Sequence, residues 1–234
     1  MRATAAIIVA GGKGKRMKSS IPKQFIPICG KPILYHTIKN IAVPEFVEEI
    51  ILVLPEEYMG SSILNSCIPE DLPVPIRFQK GGAERQDSVF NGLQALSEGV
   101  MTVLVHDGVR PFVRKMFLKA CLDKLEDSDG VIPVIRMKDT LKKIKDGFIE
   151  NTLNREEIAG AQTPQVFKKD ALIRAYQYAF ENGLYGTDDA SLVEVAGGKV
   201  RVVEGDEINI KITTPFDVAL AEWILEKGFF NEKS

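Results

Sequence analysis

The chain has 234 residues, 45% of them hydrophobic, enough to bury the core of one α/β domain or of one domain with an excursion. Its 30 basic and 32 acidic residues nearly cancel, to a net charge of −2, which argues against nucleic acid as a partner and for a small anionic ligand at any local basic cluster. Three scattered cysteines, Cys29, Cys67 and Cys121, have no metal-ligand spacing and fit reduced thiols in a cytoplasmic protein, and no apolar run suits a signal segment or a membrane span.

In chain order, residues 5–10 (AAIIVA) predict a buried strand that ends in Gly11, Gly12 and Gly14. Glycines here let backbone N–H groups cradle an anion, although a tight strand-to-helix turn would need them too. The loop is not a Walker A motif, because Arg16 follows Gly14-Lys15. It is not a dinucleotide fingerprint either, because Met17 stands where the last glycine should be. Lys13, Lys15, Arg16, Lys18 and Lys23 follow, and they tilt the reading towards phosphate. Pro22 stiffens the backbone before Lys23, so "PKQF" reads as a positioned cation.

A helix is expected over 33–41, then strands over 49–54 and 76–79. "KGGAERQDSVFNGL" (80–93) joins a Gly-Gly turn to a helix over 85–96. Its glycines permit close approach of a flat base, and Ser88 can bond that base or cap the helix. The strand over 102–106 runs into "HDGVRP", which puts Asp107 at a carboxyl edge, where α/β enzymes hold metal-associated carboxylates. Arg110 can take a second anion, and His106 suits a structural hydrogen bond better than a base. A helix over 114–125 and a strand over 130–135 follow.

Residues 134–167 break the rhythm. "KDG" at 145–147 between "TLKKIK" and "FIENTL" signals a hairpin, which can be a lid, a dimerisation arm or a plain surface feature. A helix over 170–181 precedes "TDDASLVEVAG" (187–197), whose acidic opening reads as a helix cap. A strand over 199–204 leads to "NIKITTP" (209–215). That stretch is expected to hold Lys211 on a short strand, where a lysine can simply blunt an edge. A helix over 216–227 and a frayed "FFNEKS" end the chain. Alternating strands and helices predict a parallel sheet covered on both faces, with ligands beyond the carboxyl ends of its strands.

Seven stretches in register, "AGGKGKRM…PKQF", "GG..R..SV..GL", "HD..RP", "DTLK", "AQTPQVF", "TDDASLVE" and "NIKITTP", resemble the 2-C-methyl-D-erythritol 4-phosphate cytidylyltransferase (IspD) family over nearly the whole chain. The resemblance implies an α/β, Rossmann-like, mostly parallel sheet flanked by helices, the glycosyltransferase-A nucleotidyltransferase fold. It implies one domain over 1–234, with a protruding β-hairpin dimerisation arm at about 136–160. The activity implied is Mg²⁺-dependent transfer of CMP from CTP to methylerythritol phosphate, releasing pyrophosphate, in the non-mevalonate isoprenoid pathway. The implied roles are catalysis for Arg16, Lys23 and Lys211, and CTP binding for Ala10, Gly11, Gly12, Gly14, Gly81, Gly82, Ser88 and Asp107. Asp107 would also stand near the metal. Arg110, Thr140, Arg155, Thr163, Thr187 and Lys211 would surround the acceptor, with Arg155 and Thr140 reaching a partner's site in a homodimer. Two fingerprints depart from the common pattern, at Gly11-Gly12-Lys13-Gly14 and at Gly108-Val109. The runner-up is ribitol-5-phosphate cytidylyltransferase, against which "DTLK" and "TDDASLVE" argue. A nucleotide-sensing module without chemistry would not need Arg16 and Lys23 together.

Overall fold

The computed structural model describes residues 3–12, 17 and 21–230. Strands β1 (Thr4–Val9), β2 (Pro27–Ile28) and β3 (Lys31–Pro32) precede helix α1 (Ile33–Ile41), β4 (Glu49–Leu54), the one-turn α2 (Ser62–Asn65) and β5 (Ile76–Lys80). Next come α3 (Arg85–Gln94), β6 (Thr102–Asp107), α4 (Lys115–Asp123), β7 (Gly130–Arg136), β8 (Lys142–Lys145) and β9 (Phe148–Thr152). The chain continues through β10 (Ala159–Ala161), β11 (Gln165–Lys168), α5 (Lys169–Glu181), α6 (Asp189–Val195), β12 (Val200–Glu204) and α7 (Pro215–Glu226).

Strands β5, β4, β1 and β6 lie side by side and parallel. β11 enters antiparallel between β6 and β7. β10 continues that antiparallel pairing along β7, and β12 runs parallel to it. The sheet is buried on both faces, which is why β1 and β4 read as unbroken apolar runs rather than alternating ones. Ala6, Ile8, Ile50, Leu52 and Leu104 face Leu34 and Ile38 of α1 and Leu118 and Cys121 of α4. Ala5, Ile7, Ile51, Val53 and Val103 face Val89 and Leu93 of α3, Leu172 and Tyr176 of α5, and Leu192 of α6. Alternate side chains of one strand thus anchor opposite layers. A third cluster packs Ile28, Ile33, Val109 and Phe112 against Ile212 and, from α7, Ala221 and Ile224.

Two expectations are corrected. The stretch "QVF" is not part of a polar excursion but β11, with Gln165, Val166 and Phe167 buried in the sheet. Four residues with one apolar pair give too weak a signal to be read as a central strand. "NIKITTP" forms no strand. Ile212 N–H bonds Val109 O, and Thr213 and Thr214 donate their N–H groups to Asp217, so the segment is a strap leading into α7.

The hairpin is built as its turn residues require. Asp146 (φ 52°) and Gly147 (φ 83°) both take left-handed backbone between β8 and β9, the two-residue geometry that suits right-twisted strands. Every residue of both strands is exposed.

Candidate active site

The carboxyl ends of β1, β4, β5 and β6 converge on one edge. Ala10 N–H bonds Val53 O, Gly81 N–H bonds Leu54 O, and Gly108 N–H bonds Val9 O. These three bonds bring the glycine loop, the Gly-Gly turn and the "HDG" corner side by side. A Cβ built on Gly11 would lie 4.0 Å from Ser88 Oγ, and one on Gly81 would lie 3.1 Å from it. A Cβ on Gly12 would meet Lys23 Cε at 3.5 Å and Nζ at 4.0 Å. The expected nucleotide residues Ala10, Gly11, Gly12, Lys23, Gly81, Gly82 and Ser88 therefore share one wall. Gly14 and Arg16, with Lys13, Lys15 and Lys18, lie outside the described residues.

Lys23 is placed by its neighbours. Pro22 (φ −56°) enters the single 3₁₀ turn Lys23–Phe25. Buried Gln24 donates its Nε2 to Ala10 O at 2.7 Å, and buried Phe25 packs against the Tyr58 ring. "PKQF" is thus a clip that fastens a cation beside the glycine loop. Ser88 does not take the N-cap position. Its Oγ accepts the Gly82 N–H at 3.0 Å and donates to Glu84 O at 3.0 Å, pinning the glycine turn onto α3.

Asp107 is the electrostatic centre. Its side chain is 8% exposed, and it meets Lys211 Nζ at 3.0 Å, Arg110 Nε at 3.2 Å and Arg85 Nε at 3.6 Å. Burial alone would push its carboxyl up, but Lys211, Arg85 and Arg110 together hold it well below the usual carboxylate range. It is ionised at any working pH. Arg85 extends the cluster to fully buried Asp189 at 2.7 Å, and Tyr176 donates its hydroxyl to that carboxylate at 2.6 Å. Three cations against two carboxylates leave the pocket edge positive, as an anion site requires.

His106 is structural. It is buried, and burial lowers its pKa to about 4. Its Nε2 lies 2.9 Å from Arg110 O, which can only accept, so Nε2 carries the proton. Its Nδ1 then accepts from the Thr163 hydroxyl at 2.9 Å, and that hydroxyl accepts the Asp107 N–H at 3.1 Å. One neutral tautomer satisfies the whole chain of bonds.

The expected acceptor residues divide into two groups. Arg110, Thr163 and Lys211 gather at Asp107. The Arg110 Nη1 is already given to Asn209 O at 2.8 Å, and Asn209 Nδ2 bonds Thr163 O at 2.8 Å. Thr187 is exposed and stands two residues before Asp189, so Arg85 ties its segment to the same cluster. Thr140 and Arg155 lie on the arm, exposed. Arg155 bonds Lys138 O and pairs with Glu156 locally, and neither residue has a polar contact with the Asp107 cluster. Sequence reasoning missed Arg85, Asp189, Tyr176 and Gln24 as site-building residues. The signal available was a second acidic residue, Asp189, opening the otherwise apolar inner face of α6.

Among the described residues, no three His, Cys, Asp or Glu side chains assemble as a metal set. Of the two carboxylates in the cluster Asp189 is fully buried and only Asp107 reaches the surface, which fits a Mg²⁺ delivered on a polyphosphate rather than one caged by protein. None of the described helices is long and apolar enough to cross a membrane.

Comparison with known proteins identifies the family. The family model described as IspD, 2-C-methyl-D-erythritol 4-phosphate cytidylyltransferase, matches residues 4–227. Proteins named 2-C-methyl-D-erythritol 4-phosphate cytidylyltransferase from Bacillus licheniformis and Syntrophus aciditrophicus are similar to this chain. They are 41% identical over 227 residues and 45% identical over 223 residues, covering 97% and 95% of both partners respectively. The crystal structure of the 4-diphosphocytidyl-2C-methyl-D-erythritol synthase of Anaerococcus prevotii superposes with a TM-score of 0.85 at 32% identity, over 96% of this chain and 99% of that one.

Proposed function

The chain belongs to the IspD family of 2-C-methyl-D-erythritol 4-phosphate cytidylyltransferases, and from that premise we propose how its residues divide the work. The enzyme transfers CMP from CTP to 2-C-methyl-D-erythritol 4-phosphate, giving 4-diphosphocytidyl-2-C-methyl-D-erythritol and pyrophosphate. An oxygen of the acceptor phosphate forms a bond to the α-phosphorus of CTP, and the bond to the bridging oxygen of pyrophosphate breaks. A phosphate monoester loses its second proton near pH 6, so the nucleophile is already dianionic at neutral pH and no general base is required. Neutral, buried His106, with both ring nitrogens engaged, is consistent with that. The difficulty is to bring two polyanions together and to stabilise the charge of the five-coordinate transition state.

The observation that carries the assignment of roles is the single edge that joins glycine loop, Lys23, Ser88 and the Asp107 cluster. In this reading the loop over 10–14 cradles the triphosphate: Ala10, its own N–H given to Val53 O, starts the loop, and Gly11, Gly12 and Gly14 offer the backbone N–H groups. Gly81, Gly82 and Ser88 leave room for the cytosine. Arg16 and Lys23 offset charge at the α-phosphate. Lys211 and Arg110 attract the acceptor phosphate, held in place by Asp107, while Thr163 and Thr187 border the acceptor. Asp107 would also hold a Mg²⁺ carried on the triphosphate; that ion supplies charge neutralisation between the two substrates.

The hairpin supports a homodimer. Ile144, Phe148 and Ile149 are 67%, 78% and 64% exposed on it, more apolar surface than an isolated two-stranded ribbon carries without a partner. Arg155 and Thr140 then serve the partner's site. The body is one nucleotidyltransferase domain with the arm at about 136–160. Three free thiols suit the cytoplasm, and burial pushes those of Cys67 and Cys121 up to about 11 and about 12, which keeps them unreactive.

Phosphorus NMR tests the chemistry. With CTP, Mg²⁺ and the acceptor, resonances of a new pyrophosphate diester should appear together with free pyrophosphate. A nucleotide sensor would bind CTP and release none.

A further inference from the structure

We propose that Asp189 is a positioning residue for the reaction: through Arg85 it fixes the acceptor-side segment 184–190 against the Asp107 carboxylate. The proposal rests on the roles assigned above to Asp107 and Thr187. Arg85 stands three residues after Gly82, at the start of α3, and Asp189 stands two residues after Thr187, at the start of α6. One guanidinium contacts Asp189 Oδ2 through Nη2 at 2.7 Å and faces Asp107 Oδ1 through Nε at 3.6 Å. It therefore ties together the nucleotide turn, the end of β6 and the acceptor segment.

Stability gives no reason for this arrangement. Asp189 is fully buried, and a buried ion pair can often be replaced by apolar side chains without loss of stability. It is not needed as a cap, because the Asp188 Oδ1 accepts the Ser191 N–H at 3.0 Å. Nor is it needed to attach the segment. Gln86 grips Leu184 O and Gly186 N–H, and Gln165 grips Asp188 Oδ2 and Ala190 N–H. Those clamps bind the segment to α3 and β11. The Arg85 bridge links it to Asp107, so its particular effect is register between the two substrates.

The test is steady-state kinetics of Asp189→Asn and Tyr176→Phe with CTP and 2-C-methyl-D-erythritol 4-phosphate varied separately. Asparagine keeps the shape and an oxygen for Tyr176 but loses the charge that holds Arg85. For Asp189→Asn we expect the acceptor KM to rise and kcat to fall, each by about 10-fold, with the CTP KM comparatively little changed. Tyr176→Phe should move in the same direction by less. Arg85→Gln combined with Asp189→Asn should cost no more than the worse single change, since the pair acts as a unit. A folded Asp189→Asn protein with the original acceptor KM and kcat overturns the proposal, as does an equal rise of both KM values. If Asp189→Asn does not fold, an unchanged acceptor KM in Tyr176→Phe overturns it. No pyrophosphate release by the unsubstituted protein would overturn the reading of function instead, and the proposal with it.

Discussion

Two neighbours on β6 meet opposite fates in one buried environment. Asp107 is kept charged by three cations, and His106 is kept neutral by burial. The difference dictates how stability responds to acid. The folded His106 value of about 4 lies below its ordinary 6.5, so protonation favours the unfolded chain between those limits. Just above pH 6.5 stability should be flat, and it should fall by up to about 3 kcal/mol as pH drops to 4, read from urea midpoints at a series of pH values. His36, whose pKa burial also lowers, adds in the same direction. Asp107 acts later: its contribution is complete above 3.8 and is lost only as pH falls further, towards its depressed folded value. His106→Gln should remove most of the slope between 6.5 and 4. In the proposed division of work Lys23 has the opposite profile, serving catalysis rather than folding. Lys23→Ala should keep its melting temperature while kcat falls roughly 10²–10³-fold, the scale of losing one preorganised donor. Near-normal turnover would remove it from the transition state.

At the scale of elements, the Gly81-Gly82 turn is the most sterically demanding piece of the site. A Cβ on Gly82 would lie 2.2 Å from Asp87 Cβ and 3.0 Å from the Asp87 carbonyl carbon, so backbone must move. Gly82→Ala should break the Gly82–Ser88 bond, displace the turn and raise the CTP KM by about 10-fold or more, measurable by initial rates across a CTP series. The sequence made such turns legible, because glycine pairs after apolar runs have few other uses. The parallel strands and their helices were legible too, since burial on both faces writes continuous apolar runs such as EIILVL. Less legible was β11, whose strand character comes from its neighbours β6 and β7 rather than from its own four residues. The links Arg85–Asp189 and Gln24–Ala10 join residues 104 and 14 positions apart. Local pattern marks at most one end of such a pair, as with Asp189 on the apolar inner face of α6, because the partner Arg or Gln looks like any other in sequence. Lys211 was legible only by resemblance, for on pattern alone it was expected to sit on an edge strand that does not exist.

At the scale of the whole molecule, an arm with three large apolar side chains in water points to a second copy of the chain. In the proposed homodimer, Phe148→Glu together with Ile149→Lys should leave a monomer by light scattering, and lower activity by withdrawing Arg155 from the partner's site. Mixing Arg155→Ala with Lys23→Ala subunits should restore activity in heterodimers. Proven subunit exchange without recovery would confine each site to its own chain. The most direct test of the account as a whole is pyrophosphate release from CTP and Mg²⁺, comparing kcat/KM for 2-C-methyl-D-erythritol 4-phosphate and D-ribitol 5-phosphate. The account predicts turnover with the former and little with the latter. Preference for ribitol 5-phosphate would contradict it, leaving the nucleotide wall intact and overturning the acceptor side of the site.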